Sequence, residues 1–134
     1  METVRDPLRR RDVALTPEER VRQWLITLLR DSLAVPVHQM MSEVFLSCPG
    51  GKDYRADLVI YGRGGVPLAI AECKRPDVDL SADVLRQALR YNMILNVPWL
   101  ILSNGSRTLV WGKQGTDYVN YDHFPLYEEM LTNQ

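Results

Sequence analysis

Between Tyr54 and Pro76 the chain reads YRADLVIYGRGGVPLAIAECKRP, and the fold turns on this stretch. Two β-rich runs, Arg55–Arg63 and Val66–Lys74, flank Gly64-Gly65. A Gly-Gly pair between such runs predicts a two-residue hairpin, because primed turns require positive φ. With Gly64 and Gly65 as the loop, Arg63 faces Val66, Asp57 lies opposite Glu72, and Arg55 lies opposite Lys74. Side chains alternate with a period of two, so Asp57, Glu72 and Lys74 project from one sheet face. An odd slip in register would scatter them. Val59, Tyr61, Leu68 and Ile70 share that face and want burial, which sets the charged trio at the rim of a cleft. Cys73 points the other way with Ala69 and Ala71, as a small buried hydrophobe.

Paired carboxylates a few Å apart repel, and one is driven toward protonation unless a cation bridges them. A hard divalent ion resolves the conflict, and magnesium prefers one or two carboxylates plus water and phosphate oxygens. Lys74 beside such an ion can orient an attacking water or neutralise charge developing on phosphate. The competing reading is a structural acid–lysine cluster on an exposed sheet face.

Outward from this hairpin, each flanking helix adds candidates. Thr16 reads as an N-cap with Pro17 at the first helical position and Glu19 completing a capping box. Val21, Leu25 and Leu28 follow at helical spacing, to about Leu33. Glu18 falls on that apolar side and Glu19 points away; an acid on a core-facing stripe suggests a buried partner, although a first-turn carboxylate is favoured anyway. The second helix, Leu80 to Leu95, has Ser81 as its cap and carries Gln87 and Tyr91 four residues apart on one face. Arg86 and Arg90 form the adjoining row, suited to holding a phosphate backbone.

The remaining chain completes the pattern. Residues 1–15 are Arg-rich and aperiodic and read as a flexible basic arm ahead of one domain over 16–134. Val37 to Cys48 reads as a strand closed by Pro49-Gly50-Gly51. Trp99–Leu102, Arg107–Trp111 and Tyr118–Tyr121 read as further strands, and Phe124–Leu131 as a short terminal helix. That order predicts an α/β or α+β domain with helices on a mixed sheet.

Composition narrows the class. The 134 residues are 46% hydrophobic and 25% charged, as in ordinary soluble domains. No apolar run approaches the ~20 residues of a membrane span, and the charged start is no secretory signal. Two cysteines, Cys48 and Cys73, make neither a disulfide framework nor a zinc site, so the reducing cytoplasm is expected. His38 and His123 read as ordinary polar residues. A net charge of −1 argues against coating nucleic acid through bulk charge. The sum hides an asymmetry: from Asp117 onward there is no Lys or Arg, while Lys52, Arg55, Lys74, Arg75, Arg86 and Arg90 lie upstream. A local basic groove is compatible with that distribution.

Asp57, then Glu72-x-Lys74 closing a hairpin strand, then Gln87-x-x-x-Tyr91 on the next helix, resembles the PD-(D/E)XK nuclease superfamily. Within it, Thr16 to Arg22, Arg55-Ala-Asp57, Ala71-Glu-Cys-Lys-Arg-Pro76, Gln87 to Asn92 and Ser103-Asn-Gly105 are similar to the N-terminal nuclease domain of type I restriction enzyme R subunits. The resemblance implies a restriction-endonuclease-like mixed β-sheet flanked by helices and a DNA nuclease dependent on Mg2+ or Mn2+. It implies Asp57, Glu72 and the Cys73 carbonyl as metal ligands, with Glu18 binding or orienting from the first helix. Lys74 would activate water, and Gln87 with Tyr91 would position DNA. The residue before Asp57 is Ala56 where the superfamily's name has proline. R subunits also carry an ATP-driven motor, and no Gly-x-x-x-x-Gly-Lys-Ser/Thr loop occurs here. The partners implied are DNA with a second copy of this chain or a separate motor subunit. The alternative is a non-catalytic DNA-binding or assembly module that keeps the nuclease fold.

Overall fold

The computed structural model describes residues 1–132 and 134. One six-stranded sheet organises it, in the order β3 (Met40–Ser47), β4 (Asp53–Tyr61), β5 (Pro67–Cys73), β6 (Trp99–Ser103), β7 (Thr108–Gln114), β8 (Asp117–Tyr121). Only β5 and β6 run parallel, because α2 (Ala82–Leu95) carries the chain back between them. A separate two-stranded sheet pairs β1 (Thr3–Asp6) with β2 (Arg11–Ala14), ahead of α1 (Pro17–Asp31). The chain closes with α3 (Tyr127–Thr132). The result is a single α+β domain with a mixed sheet.

Periodicity explains the layers. Leu25, Ile26 and Leu29 recur at helical spacing on α1 and are fully buried against Leu58, Ile60, Ala71, Trp99 and Ile101 of the sheet. Full burial of such side chains is worth roughly 1.5–3 kcal/mol each. A smaller cluster on β4 and β5, Ala56, Val59 and Ile70 with Val97, is joined by Leu95 from α2. Both N-caps form as the sequence requires: Thr16 Oγ1 accepts the Glu19 N–H at 3.1 Å and Ser81 Oγ accepts that of Val84 at 3.3 Å. The end of α2 is fixed by Asn96 in the left-handed region (φ 56°) and by Asn92, whose Nδ2 donates to the Trp99 carbonyl at 2.8 Å.

Three expectations need correction. Residues 1–15 are not a loose arm in their backbone: they form the β1–β2 hairpin. Its charges are internal fasteners. Asp6 is fully buried and accepts the Leu8 N–H at 2.7 Å, while Arg9 reaches Asp6, Glu19 at 2.7 Å and Glu43 at 3.2 Å.

The second correction concerns the hairpin turn. Residues Arg63–Gly65 form a 3-10 turn, with Gly64 and Gly65 both at positive φ, and the Gly62 N–H donates to Val66 O at 2.8 Å. Tyr61 therefore pairs with Pro67, one residue out of the expected register, and an irregularity between Ile60 and Tyr61 restores it. From Ile60↔Ala69 to Leu58↔Ala71 the expected register holds. Leu68 consequently packs with the α1-side core beside Ala69, rather than with Ile70. The third is that Val37–Gln39 is a 3-10 turn, and the strand begins at Met40. Among the described residues, no helix is long and apolar enough to cross a membrane.

Candidate functional site

The site is built where the central strands end. The β4–β5 pairing runs to Leu58 and Ala71, and beyond it the Asp57 carboxylate takes over: its Oδ2 accepts the Cys73 N–H at 2.8 Å. On the other edge of β5, the Lys74 N–H donates to Ser103 O at 2.8 Å and continues the pairing with β6. These bonds fix the main chain on both sides of Glu72. Glu72 itself is only 7% exposed, and Tyr54 donates its hydroxyl to Glu72 Oε1.

One cavity of about 320 Å³ gathers Glu18, Asp57, Glu72, Lys74, Gln87 and Tyr91. Cys73 and Arg55 also line it. Four elements meet there: α1 contributes Glu18, β4 Asp57, the end of β5 Glu72, and α2 Gln87 and Tyr91. The Tyr91 ring stacks on Tyr54 at 4.2 Å between centroids and 15° between planes, so α2 is held to β4 at the cavity wall.

Electrostatics make Glu72 the unusual member. Burial pushes its carboxyl up to about 8; Lys74 opposes the shift, Glu18 adds to it and Arg22 opposes it. The Cys73 thiol is also pushed far up by burial, so it is no nucleophile.

The expectation for Glu18 and Glu19 is reversed in burial. Glu19 is enclosed, its side chain 8% exposed, because the β1–β2 hairpin delivers Arg9 to it; Glu18 is 43% exposed and opens on the cavity. Glu19 also binds Gln23 at 3.0 Å, so its carboxylate is engaged with neighbours on α1 and the hairpin. Arg55, expected opposite Lys74, pairs instead with Glu43 of β3 at 3.0 Å. Arg86 and Arg90 do not line the cavity but a neighbouring groove, and Arg86 is ion-paired with Asp83 at 2.7 Å.

Two residues escaped the sequence reading. In the sequence Tyr54 reads only as the residue ahead of the first β-rich run. Arg22 is the larger omission: its side chain is 6% exposed, its Nη1 donates to the Asp57 carbonyl at 3.3 Å, and it faces Glu18, Glu19 and Glu43 at 3.5–3.8 Å. Its position one turn after Glu18 and Glu19 was the available signal.

Among the described residues, no group of three or more His, Cys, Asp or Glu is drawn close enough together to hold a metal ion by itself. The donor chemistry nevertheless suits a hard cation. Asp57 and Glu72 are oxygen donors on one cavity, and the desolvated Glu72 carboxyl is held neutral near neutral pH, the condition that a neighbouring cation reverses. Magnesium needs no more than one or two protein carboxylates, the rest of its shell being water and phosphate.

The family model for the type I restriction enzyme R protein N terminus matches residues 17–125 of this chain. A fragment structure described as that of an HsdR subunit of a type I restriction enzyme from Vibrio vulnificus YJ016 superposes with a TM-score of 0.65 and 17% sequence identity over 90% of this chain. At that identity the likeness is one of fold. The chain spans 25% of the length of that solved chain. No curated protein matches it.

Proposed function

Because this chain belongs to the family of the type I restriction enzyme R protein N terminus, we propose that it is a divalent-cation-dependent nuclease that hydrolyses phosphodiester bonds in DNA. The observation that carries this is the single cavity joining Glu18, Asp57, Glu72 and Lys74, with Glu72 buried and its carboxyl raised to about 8. A purely structural acid–lysine cluster gains nothing from burying a carboxylate against its solvation; a cation-binding one does.

In this mechanism Asp57, Glu72 and the Cys73 carbonyl would hold Mg2+ or Mn2+, and Glu18 would orient from α1. The cation, when bound, supplies Lewis acidity toward a phosphate oxygen. Lys74, half-buried at the cavity edge, orients the attacking water and offsets charge gathering on the phosphate. Gln87 hydrogen-bonds the phosphate. Tyr91, braced by its stack on Tyr54, fixes the wall against which the strand lies. Arg22 acts through Asp57, gripping its carbonyl and balancing the surrounding acids. Arg86 and Arg90 hold the backbone beside the cavity. The working compartment is the reducing cytoplasm, and cutting both strands of a duplex calls for a second copy or a separate motor subunit.

A second reading, a DNA-binding or assembly module without chemistry, is favoured by the Tyr54 hydroxyl already engaging Glu72. Incubating supercoiled DNA and a flapped oligonucleotide with rising Mg2+ or Mn2+ separates the two. The nuclease cuts at least one of them, and Asp57→Ala and Glu72→Ala cut neither. Binding with no metal-dependent cutting by the wild type leaves the module.

A further inference from the structure

Beside the carboxylate cavity lies a second, larger recess of about 640 Å³, between the β3–β4 turn and the outer face of α2. The two recesses adjoin, with Gln87 and Tyr91 lining both. The recess is of mixed character. Lys52, Arg86 and Arg90 line it, while Pro49, Tyr91 and Ile94 supply apolar surface. Ile94 is 41% exposed, an aliphatic side chain on a helix left open to water. Asp83 answers Arg86 at 2.7 Å, whereas Lys52 and Arg90 have no ion-pair partner among the described residues. Gly50, which lines the recess, holds φ of +97° with open space where a Cβ would stand, so the turn offers bare main chain there.

That combination discriminates between forms of nucleic acid. A duplex presents phosphates outward and keeps its base faces stacked inside, so it would satisfy the cations and leave Ile94 and Pro49 unpaired. A single strand presents both backbone charge and bare base faces, and proteins that bind it combine a basic groove with stacking surfaces. We propose that this recess binds single-stranded nucleic acid, seating bases against Tyr91, Ile94 and Pro49 and phosphates against Lys52 and Arg90, and so feeds a single-stranded end or flap to the carboxylate cavity. The inference rests on the nuclease reading for the position of the reacting phosphate, and adds the substrate class: frayed, flapped or single-stranded ends in preference to intact duplex.

The test measures binding and cutting separately. Fluorescence anisotropy, with calcium in place of magnesium, compares a labelled single-stranded oligonucleotide with the blunt duplex of the same sequence at several salt concentrations. The single strand should bind about tenfold or more tightly, the scale set by stacking of even one base. Lys52→Gln with Arg90→Gln should weaken it and reduce the salt slope by about 1.4, at roughly 0.7 per phosphate contact on single strands. Ile94→Ser, a change at an exposed position, should weaken binding and leave the salt slope unchanged. Equal or tighter binding of the duplex overturns the proposal, as does an unaltered slope in the double variant. Cutting of both substrates in magnesium without that preference would refute the recess and leave the nuclease; the preference without any cutting would refute the nuclease and leave the recess.

Discussion

Replacing Glu72 by glutamine should stabilise the metal-free protein at neutral pH, an unusual outcome for a buried residue at a strand end. Glu72 is 7% exposed, and burial lifts its carboxyl from 4.5 to about 8 against the pull of Lys74 and Arg22. Lys74 follows it on the chain, Glu18 and Arg22 face it from α1, and Tyr54 donates to it from β4. Between pH 4.5 and 8 the folded chain holds a proton on this group that the unfolded chain has released, so stability falls as pH rises through that window. Each pKa unit is worth about 1.4 kcal/mol, and between the unfolded value of 4.5 and pH 7 the penalty accumulates to about 3 kcal/mol. Glutamine matches the shape of the neutral acid, still accepts from Tyr54 and carries no such penalty. In chelator, Glu72→Gln should therefore melt on the order of 10 °C above wild type at pH 7, with the gap closing below pH 4.5. Adding Mg2+ or Mn2+ should raise the wild type toward the variant and leave the variant unmoved. Thermal unfolding by circular dichroism across that pH range measures all of this. A variant less stable at pH 7, or a gap that does not change with pH, would refute the reasoning.

Three other outcomes follow from the geometry. Arg9→Ala strips the partner from fully buried Asp6 and from Glu19, and should cost roughly 3 kcal/mol in urea denaturation. Burial raises Asp6, but the Arg9 and Leu8 hydrogen bonds prevail and leave it below 3.8. The stability this contributes is present above that pH and lost below it, so the variant's acid unfolding should move to higher pH. Gly112→Ala puts a methyl 2.7 Å from the Trp99 and Tyr121 rings and should destabilise by about 1–3 kcal/mol, with an unchanged melting temperature counting against the packing described. Chelator should lower the wild-type melting temperature only modestly, since the α1 and sheet core owes nothing to a cation; complete unfolding in chelator would show a structural metal instead.

The legible parts of this molecule were those with a local physical cause. Gly64-Gly65 marked the turn, and Thr16 and Ser81 announced the helix starts. The turn itself is wider than a two-residue loop. Its single-residue slip is absorbed near Tyr61, so the expected register holds from Ile60↔Ala69 to Leu58↔Ala71, while Leu68 changed sides. What stayed hidden was set by tertiary contact. Nothing local in Arg9, Arg10 and Arg11 says that one of them crosses to Glu19 and Glu43, and without that bridge Glu19 looks solvent-facing. Arg22 and Tyr54 act through long-range partners, Asp57 and Tyr91, that only the folded sheet brings near.

The most direct measurement is the single-turnover cleavage rate of a labelled DNA in magnesium, for wild type and Lys74→Ala, with affinity for the same DNA measured in calcium. Lys74 sits on the cavity with Asp57 and Glu72 and helps hold Glu72 below the value burial alone would impose. Its ammonium should be needed in the reaction and dispensable for most of the binding. The expected result is cutting by the wild type, loss of cutting by at least about a hundredfold in the variant, and affinities within a few-fold of each other. Equal cleavage rates, or no metal-dependent cutting by the wild type, would contradict the assignment of this cavity as a nuclease site.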